Sequence, residues 1–420
     1  MNKTGYIAIL RSYSGLIAAA FLLMLFSGFG QSVFIGVFLP DIQHHFGINK
    51  TALGSLYAAA TITSAALMIW SGKLLDRLAL RNFIMIILAG LALGCILFAM
   101  AFHPLMLFPA FLCLRQFGQG LMTLAATTVI NRYIEIGNGR AQSVAQMGLP
   151  VHAALFPLCA TMILGAIGFT ASWIAYAAFI VLILMPFFWF FLRAHEEKTH
   201  KQWSQRMNEK AAQSTLDGAL PDEWTRRRVL RDWRFYIILS VMLIGPCFGT
   251  AIFFYQTTIA ESLSMAPALF TTGFIFLTGA SILSALIAGP VMDNYGEKYL
   301  LTSFPILYAA GLVLLSGAGG LLGLYSALSL IGAAGGIMSI TGGPLFAKMY
   351  GTKHFASIKS LNFMAIIIAS AISPPLCGLL LDSGFEIGDV LFYFALYSAL
   401  AWIFILLCIQ KITRHRKHAV

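Results

Sequence analysis

Twelve stretches of this chain are apolar for long enough to cross a bilayer, and little sequence is left between them. A spanning helix needs about 20 apolar residues. In lipid the backbone must satisfy its own hydrogen bonds, so each stretch is expected to be a helix. The runs are 15–39, 52–75, 83–102, 105–131, 141–168, 171–192, 235–258, 267–291, 299–318, 321–347, 356–381 and 390–410. The chain is 59% hydrophobic and 10% charged, whereas a soluble domain carries about 25% charged residues. The expectation is an all-α polytopic membrane protein. Its domains are an N-terminal six-helix bundle (1–192), a polar, mixed-charge linker loop (193–234) and a C-terminal six-helix bundle (235–420). Lys3 and Arg11 precede a first apolar run too long for a signal peptide, so that run is taken as the first span.

A net charge of +11 invites a nucleic-acid partner, but the distribution of the charges rejects one. With the N-terminus inside, all of the 27 Lys and Arg residues except Lys50 and Arg115 fall in cytoplasmic segments. That is the positive-inside pattern. It places both termini in the cytoplasm and makes anionic lipid headgroups the natural neighbours of the inner loops. The expected location is the inner membrane of a bacterium. The six cysteines lie in apolar runs without metal-type spacing and are read as free thiols. No phosphate-binding loop, metal cluster or nucleophile–base pair can be assembled. The chain is therefore expected to be no enzyme, with no catalytic residue, metal or cofactor, and not to use ATP directly.

The two halves carry matching landmarks. Gly72-Lys-Leu-Leu-Asp76 after the second run matches Gly289-Pro-Val-Met-Asp293 after the eighth, at an offset of 217. Gly118 matches Gly335 at the same offset, and Pro157-Leu-Cys159 matches Pro375-Leu-Cys377 at 218. Three landmarks in order imply a duplicated six-helix unit, a pattern found in secondary transporters.

These motifs resemble the major facilitator superfamily (MFS). Its loop between helices two and three reads roughly G-x-x-x-D-R-x-G-[RK]-[RK]. Gly72, Asp76, Arg77 and Arg81 fit, while Ala79 and Leu80 depart; the second copy keeps Gly289, Asp293, Gly296 and Lys298. The resemblance implies the MFS fold, twelve transmembrane helices in two pseudo-symmetric bundles, and a gating role for both motifs. Physically, Gly72 would allow close helix approach. Asp76 would suit a helix N-terminus, and the arginines would pair with acids or lipid phosphates. Without a gating role they would be ordinary inner-loop charges.

Arg115 is the basic residue nearest the middle of a span. A charge there costs at least ~2.5 kcal/mol. All 16 Asp and Glu residues lie in loops or at span ends, so no midplane acid is available from the sequence. A buried cation in that position invites a mobile anion. An arginine fork suits a carboxylate or phosphate, and the expected substrate is a small organic anion, most simply a carboxylate. Arg115, Gly118 and Gly120 resemble the family's fourth-helix motif, which implies that this helix lines the central cavity. Gln119 follows Arg115 by one helical turn. The other reading is an arginine held structurally by backbone carbonyls and glutamines.

His152, in the fifth run, is a candidate for substrate binding or for carrying a coupling proton; equally it fits a packed structural residue. Gln31 and Gln256 join the candidate site by family analogy. Gly30-Gln31-Ser-Val-Phe34 and Phe254-Tyr255-Gln256 resemble the monocarboxylate and oxalate–formate branch. The functional expectation is a secondary transporter working by alternating access. Proton-coupled efflux of drugs or amphipathic compounds is the rival within transport. A transport-inactive receptor is the alternative of another class.

Overall fold

A computed structural model describes residues 6–134, 138–193, 226–350 and 355–413. Every regular element among the described residues is helical. Twelve segments are long and apolar enough to cross a membrane. In chain order they are α1 (Tyr13–Gly30), α2 (Lys50–Met68), α3 (Leu80–Ala99), α4 (Pro104–Ile130), α5 (Ala141–Ile167), α6 (Phe169–Arg193), α7 (Trp233–Phe254), α8 (Pro267–Met292), α9 (Glu297–Ser316), α10 (Gly320–Gly342), α11 (Leu361–Asp382) and α12 (Ile387–Ile409). The helix of α2 itself continues to Arg77.

The chain divides into two compact units, one formed by Met1–Asp41 with Ala59–Leu220, the other by Ile42–Ala58 with Pro221–Val420. The division passes through α2, whose first turns group with the second unit. Most of the polar linker, 194–225, lies outside the described residues. Its end is described: Asp232 caps α7 by accepting from the Arg234 amide at 3.0 Å.

The core of the first unit is aromatic. Trp173 of α6 is fully buried. It stacks on Phe98 of α3, with centroids 4.5 Å apart and planes within 13°, and meets Phe38 at 4.6 Å. Such pairs add about 0.5–1.5 kcal/mol to their burial. Together they fix α3, α6 and the short helices that follow α1.

The second unit is closed by backbone contact. Gly332 and Gly336 of α10 lie four apart on one face. A Cβ at either would collide with a carbonyl oxygen of α8, that of Leu277 or of Ser281 respectively. This is small-residue packing, where missing side chains let helices touch. Between α8 and α9 the chain turns at Gly296 with φ 88°. Its amide reaches the Met292 carbonyl at 2.9 Å. A positive φ of this kind favours glycine. The equivalent position in the first half, Ala79, has φ −58°, so the departure from the glycine of the motif carries no strain there.

Candidate functional site

The site begins with a break in α1. Its helix tightens into a single 3₁₀ turn at Ser27–Gly30, and Gln31 leaves the helix with φ −85° and ψ 149°. A new helix then runs over Ser32–Ile35. The amides of Phe34 and Ile35 both turn to the Gln31 carbonyl, at 3.2 and 3.1 Å. The Gly30 carbonyl thereby loses the donor that a continuous helix would supply four residues on. Arg115 takes its place, with Nη1 3.0 Å from Gly30 O. Arg115 Nε donates to Thr61 Oγ1 of α2 at 3.1 Å. Arg115 is 3% exposed, so one buried cation joins α1, α2 and α4 inside the first unit.

α4 changes geometry at the same place. Residues Leu114–Met122 form a π-helical segment, a form that is rare and frequently marks functional sites. Here α1 and α4 cross backbone to backbone. A Cβ on Gly30 would collide with the Leu114 carbonyl, and one on Gly118 would lie 2.8 Å from Gly30 Cα. Glycine at both positions is what permits the approach.

Gln116, beside Arg115, ties α4 to α2. Its Oε1 accepts from Ser64 Oγ at 2.8 Å, and its Nε2 donates to Ser71 Oγ at 2.9 Å. Thr61, Ser64 and Ser71 recur at helical spacing along α2 and were not singled out from the sequence. That polar stripe in an apolar helix was the available signal. Buried side-chain bonds of this sort fix the register of two helices in lipid.

The other candidates of the first unit gather at the break. Gln31 is the residue at which α1 leaves the helix, and it is half-buried. Gln119 is half-buried on α4, with its amide against Gly30. His152 of α5 is 1% exposed and packs over Gly28, where a Cβ would run into its ring. Phe156 lies 4.2 Å from it, centroid to centroid. Neither imidazole nitrogen has a hydrogen-bond partner among the described residues. Gln256 belongs to the second unit. It is buried, at the start of the helix Gln256–Ser262 that follows a break at Tyr255. His152 thus meets Gly28, Arg115 and Gln119 meet Gly30, and Gln31 follows directly, so these candidates gather at the α1 break, while Gln256 occupies a comparable break in the other unit.

Of the gating motifs, Gly72, Asp76 and Arg77 lie on the last turns of the α2 helix. Their side chains, and that of Asp293, fall outside the described residues. Arg81 stands over the Trp189 ring at 4.4 Å, a cation–π contact between α3 and α6. Lys298 is exposed, with Nζ 4.8 Å from the Tyr299 ring centroid. A Cβ at Gly289 would meet nothing within 4 Å.

The comparisons with known proteins bear on this arrangement. A family model described as Major Facilitator Superfamily matches residues 20–341. No curated protein matches. Solved structures match over nearly the whole chain. A peptide transporter, POT, is 14% identical with a TM-score of 0.73, covering 96% of this chain and 95% of its own. The nucleoside transporter NupG is 13% identical with a TM-score of 0.70, covering 94% and 98%. A D-xylose–proton symporter is 15% identical with a TM-score of 0.69, covering 96% and 97%. At these identities the likeness shows a shared fold.

Proposed function

The chain belongs to the major facilitator superfamily and is a multi-pass secondary transporter, not an enzyme, and we propose that it moves a small organic anion, most simply a carboxylate, with Arg115 as the recognising cation. The observation that carries this reading is the setting of Arg115. Arg115 is buried, and its guanidinium is set at the α1 break, with Nη1 donating to Gly30 O and Nε to Thr61 Oγ1. A guanidinium fork held at a helix break matches a carboxylate in charge and in geometry. A carboxylate bound beside it adds charge-assisted hydrogen bonds, so occupancy changes the energy of the site. A ligand shifts a conformational equilibrium only through such a difference between states.

His152, Gln119 and Gln31 would assist at the α1 break, and Gln256 in the second unit. His152 is also the candidate for a coupling proton, since its nitrogens have no described partner. The relatives of known structure carry peptides, a nucleoside and, with a proton, D-xylose. They fit a small polar substrate without selecting among classes. The charge distribution supports an inner membrane with both termini cytoplasmic. The matching landmarks of the two halves support six-helix halves 1–192 and 235–420 joined by a cytoplasmic loop, and the family supports alternating access between them. The motifs around Asp76 and Asp293 would then serve the inward gate.

Proteoliposomes loaded with purified protein test the reading. Uptake from a panel of radiolabelled mono- and dicarboxylates should depend on Arg115. If Arg115→Lys or Arg115→Gln carries the identified substrate as fast as the parent, the anion site is wrong. His152→Gln should lose acceleration by an imposed pH gradient; unchanged acceleration removes the proton from His152.

A further inference from the structure

The first turn of α2 is held by an acid from the far end of the sequence. Asp382, the last residue of α11, accepts from the Thr51 amide at 2.8 Å and from Thr51 Oγ1 at 2.6 Å. It also accepts from the Lys50 amide at 3.3 Å. These residues all belong to the second unit. Lys50 and Thr51 open the α2 helix. Their amides are among the first four of a helix, which have no acceptor within it, and the helix dipole favours an anion there.

Below Asp382 the contact is closely fitted. The Tyr255 hydroxyl, at the break after α7, lies 2.8 Å from Pro374 O and 3.3 Å from Lys50 O. A Cβ on Gly54 would stand 2.8 Å from the backbone of Pro374 and Pro375. One on Gly378 would stand 2.7 Å from the Lys50 carbonyl. Cys377, beside Gly378, is fully buried.

We propose that Asp382, Thr51 and Tyr255 form a releasable clasp that keeps this end of α2 closed on α7 and α11, and that its release opens the end to water. Three features suit a release. Asp382 is exposed, so water can replace each bond that it gives up. The α2 amides freed with it are also at a solvated helix end. At Gly54 and Gly378 the surfaces beneath meet through glycine and backbone, and one turn further in the Tyr57 ring of α2 lies 4.8 Å from Phe254 of α7, an apolar pair that has no directional bond to break. The same chemistry was expected at the other end of α2, where Asp76 suits a helix N-terminus. The clasp supplies a counterpart at this end. It rests on the chain being a transporter and is independent of what is carried.

Cys377 reports the state of the clasp without any substrate. Full-length protein in nanodiscs, where both faces meet water, is treated with a membrane-impermeant charged maleimide. Labelling at each native cysteine is followed by peptide mass spectrometry. Cys95, fully buried in α3 of the first unit, monitors loss of fold. We expect Cys377 to label at least about tenfold faster in Asp382→Ala than in the parent, and faster in Thr51→Val, with Cys95 silent throughout. Asp389→Ala, another acid at a helix end, should leave Cys377 at the parental rate. If Cys377 in Asp382→Ala labels no faster while Cys95 stays silent, the clasp closes nothing and the proposal is overturned. If Cys95 labels as well, Tyr255→Phe decides, because it removes a single oxygen from the clasp. Faster Cys377 labelling with Cys95 silent then supports release, and parental labelling overturns it.

Discussion

Replacing Arg115 by methionine separates a recognition charge from a structural strut. Methionine keeps much of the length and loses the charge and, with it, the bonds to Gly30 O and Thr61 Oγ1. The stability effect has two opposing parts. Removing an arginine from the middle of a span relieves roughly 2.5–3.5 kcal/mol on insertion scales. Losing the bonds to Gly30 O and Thr61 Oγ1 costs ~0.6 kcal/mol each on average and ~1.7 at most for interhelical bonds in lipid. The difference runs from about 1 kcal/mol of destabilisation to about 2 of stabilisation. For a domain of 150–250 residues 1 kcal/mol moves Tm by about 2–4 °C. Arg115→Met should therefore melt within about 8 °C of the parent. Transport should respond differently. A hydrogen bond to a charged group is worth about 1.5–3 kcal/mol, so losing it should weaken carboxylate uptake about 10- to 100-fold. Scanning fluorimetry in detergent and uptake in proteoliposomes measure the two effects on one preparation. A Tm loss well beyond about 10 °C, with unchanged uptake per folded molecule, would refute the recognition role and make Arg115 a strut.

Three further outcomes follow from the packing and the ionisable groups. Gly332→Ala should destabilise by about 1–3 kcal/mol or more, because the Leu277 carbonyl occupies the space. Gly335→Ala, three residues on, should be neutral or gain about 0.5–1 kcal/mol in helix propensity, since nothing lies within 4 Å; equal melting temperatures would dismiss the contrast. Ser64→Ala and Gln116→Leu should couple by roughly 0.6 kcal/mol and at most ~1.7 in a double-mutant cycle, and strict additivity would show that the 2.8 Å bond contributes nothing. Tyr350, beyond the end of α10, bonds Asp232 at 3.3 Å, and burial, followed by the Asp232 carboxylate, raises its hydroxyl pKa above the ordinary value of about 10. Its stabilising contribution is complete below about pH 10, where both states are protonated, and is lost as pH rises toward the folded pKa, because the unfolded phenol ionises first. Melts between about pH 9 and 11 should fall less steeply for Tyr350→Phe than for the parent, and parallel slopes would clear Tyr350.

The spans were legible because hydropathy accumulates over about 20 residues and tolerates local error. Arg115 was legible for the converse reason, as one charge against an apolar background. The break at Gln31 and the π segment over Leu114–Met122 were not. Neither contains a proline, and both lie where Gly30 meets Gly118, a contact between residues far apart in sequence. Helical spacing from Arg115 directed attention to Gln119. The side chain that joins Arg115 in bonding α2 is Gln116, inside a segment whose turns are wider than α-helical. The partners Thr61, Ser64 and Ser71 were visible as a polar stripe, but a stripe names no partner helix. Asp382 looked like one of several acids at a helix end, because a helix N-terminus that will receive a carboxylate leaves no mark on the acid's own sequence.

The duplication clarifies why one unit carries the charge. At the offset of 217, Arg115 corresponds to Gly332 and Gly118 to Gly335. In α4 the glycine at 118 receives the α1 backbone and leaves 115 for a side chain. In α10 the roles move by one turn: Gly332 receives the α8 backbone, and 335 faces open space. An arginine at 332 would have to displace the Leu277 carbonyl, so the second unit cannot copy the cation without separating two of its helices. The break in the first helix of each unit diverges in the same way. In the first unit it frees the Gly30 carbonyl for Arg115. In the second, at Tyr255, it places a hydroxyl on the Pro374 carbonyl of α11. One break has become part of a charged junction and the other part of a clasp. Duplication supplied the frame twice, and close helix packing in the second copy removed the space in which the first copy keeps its arginine.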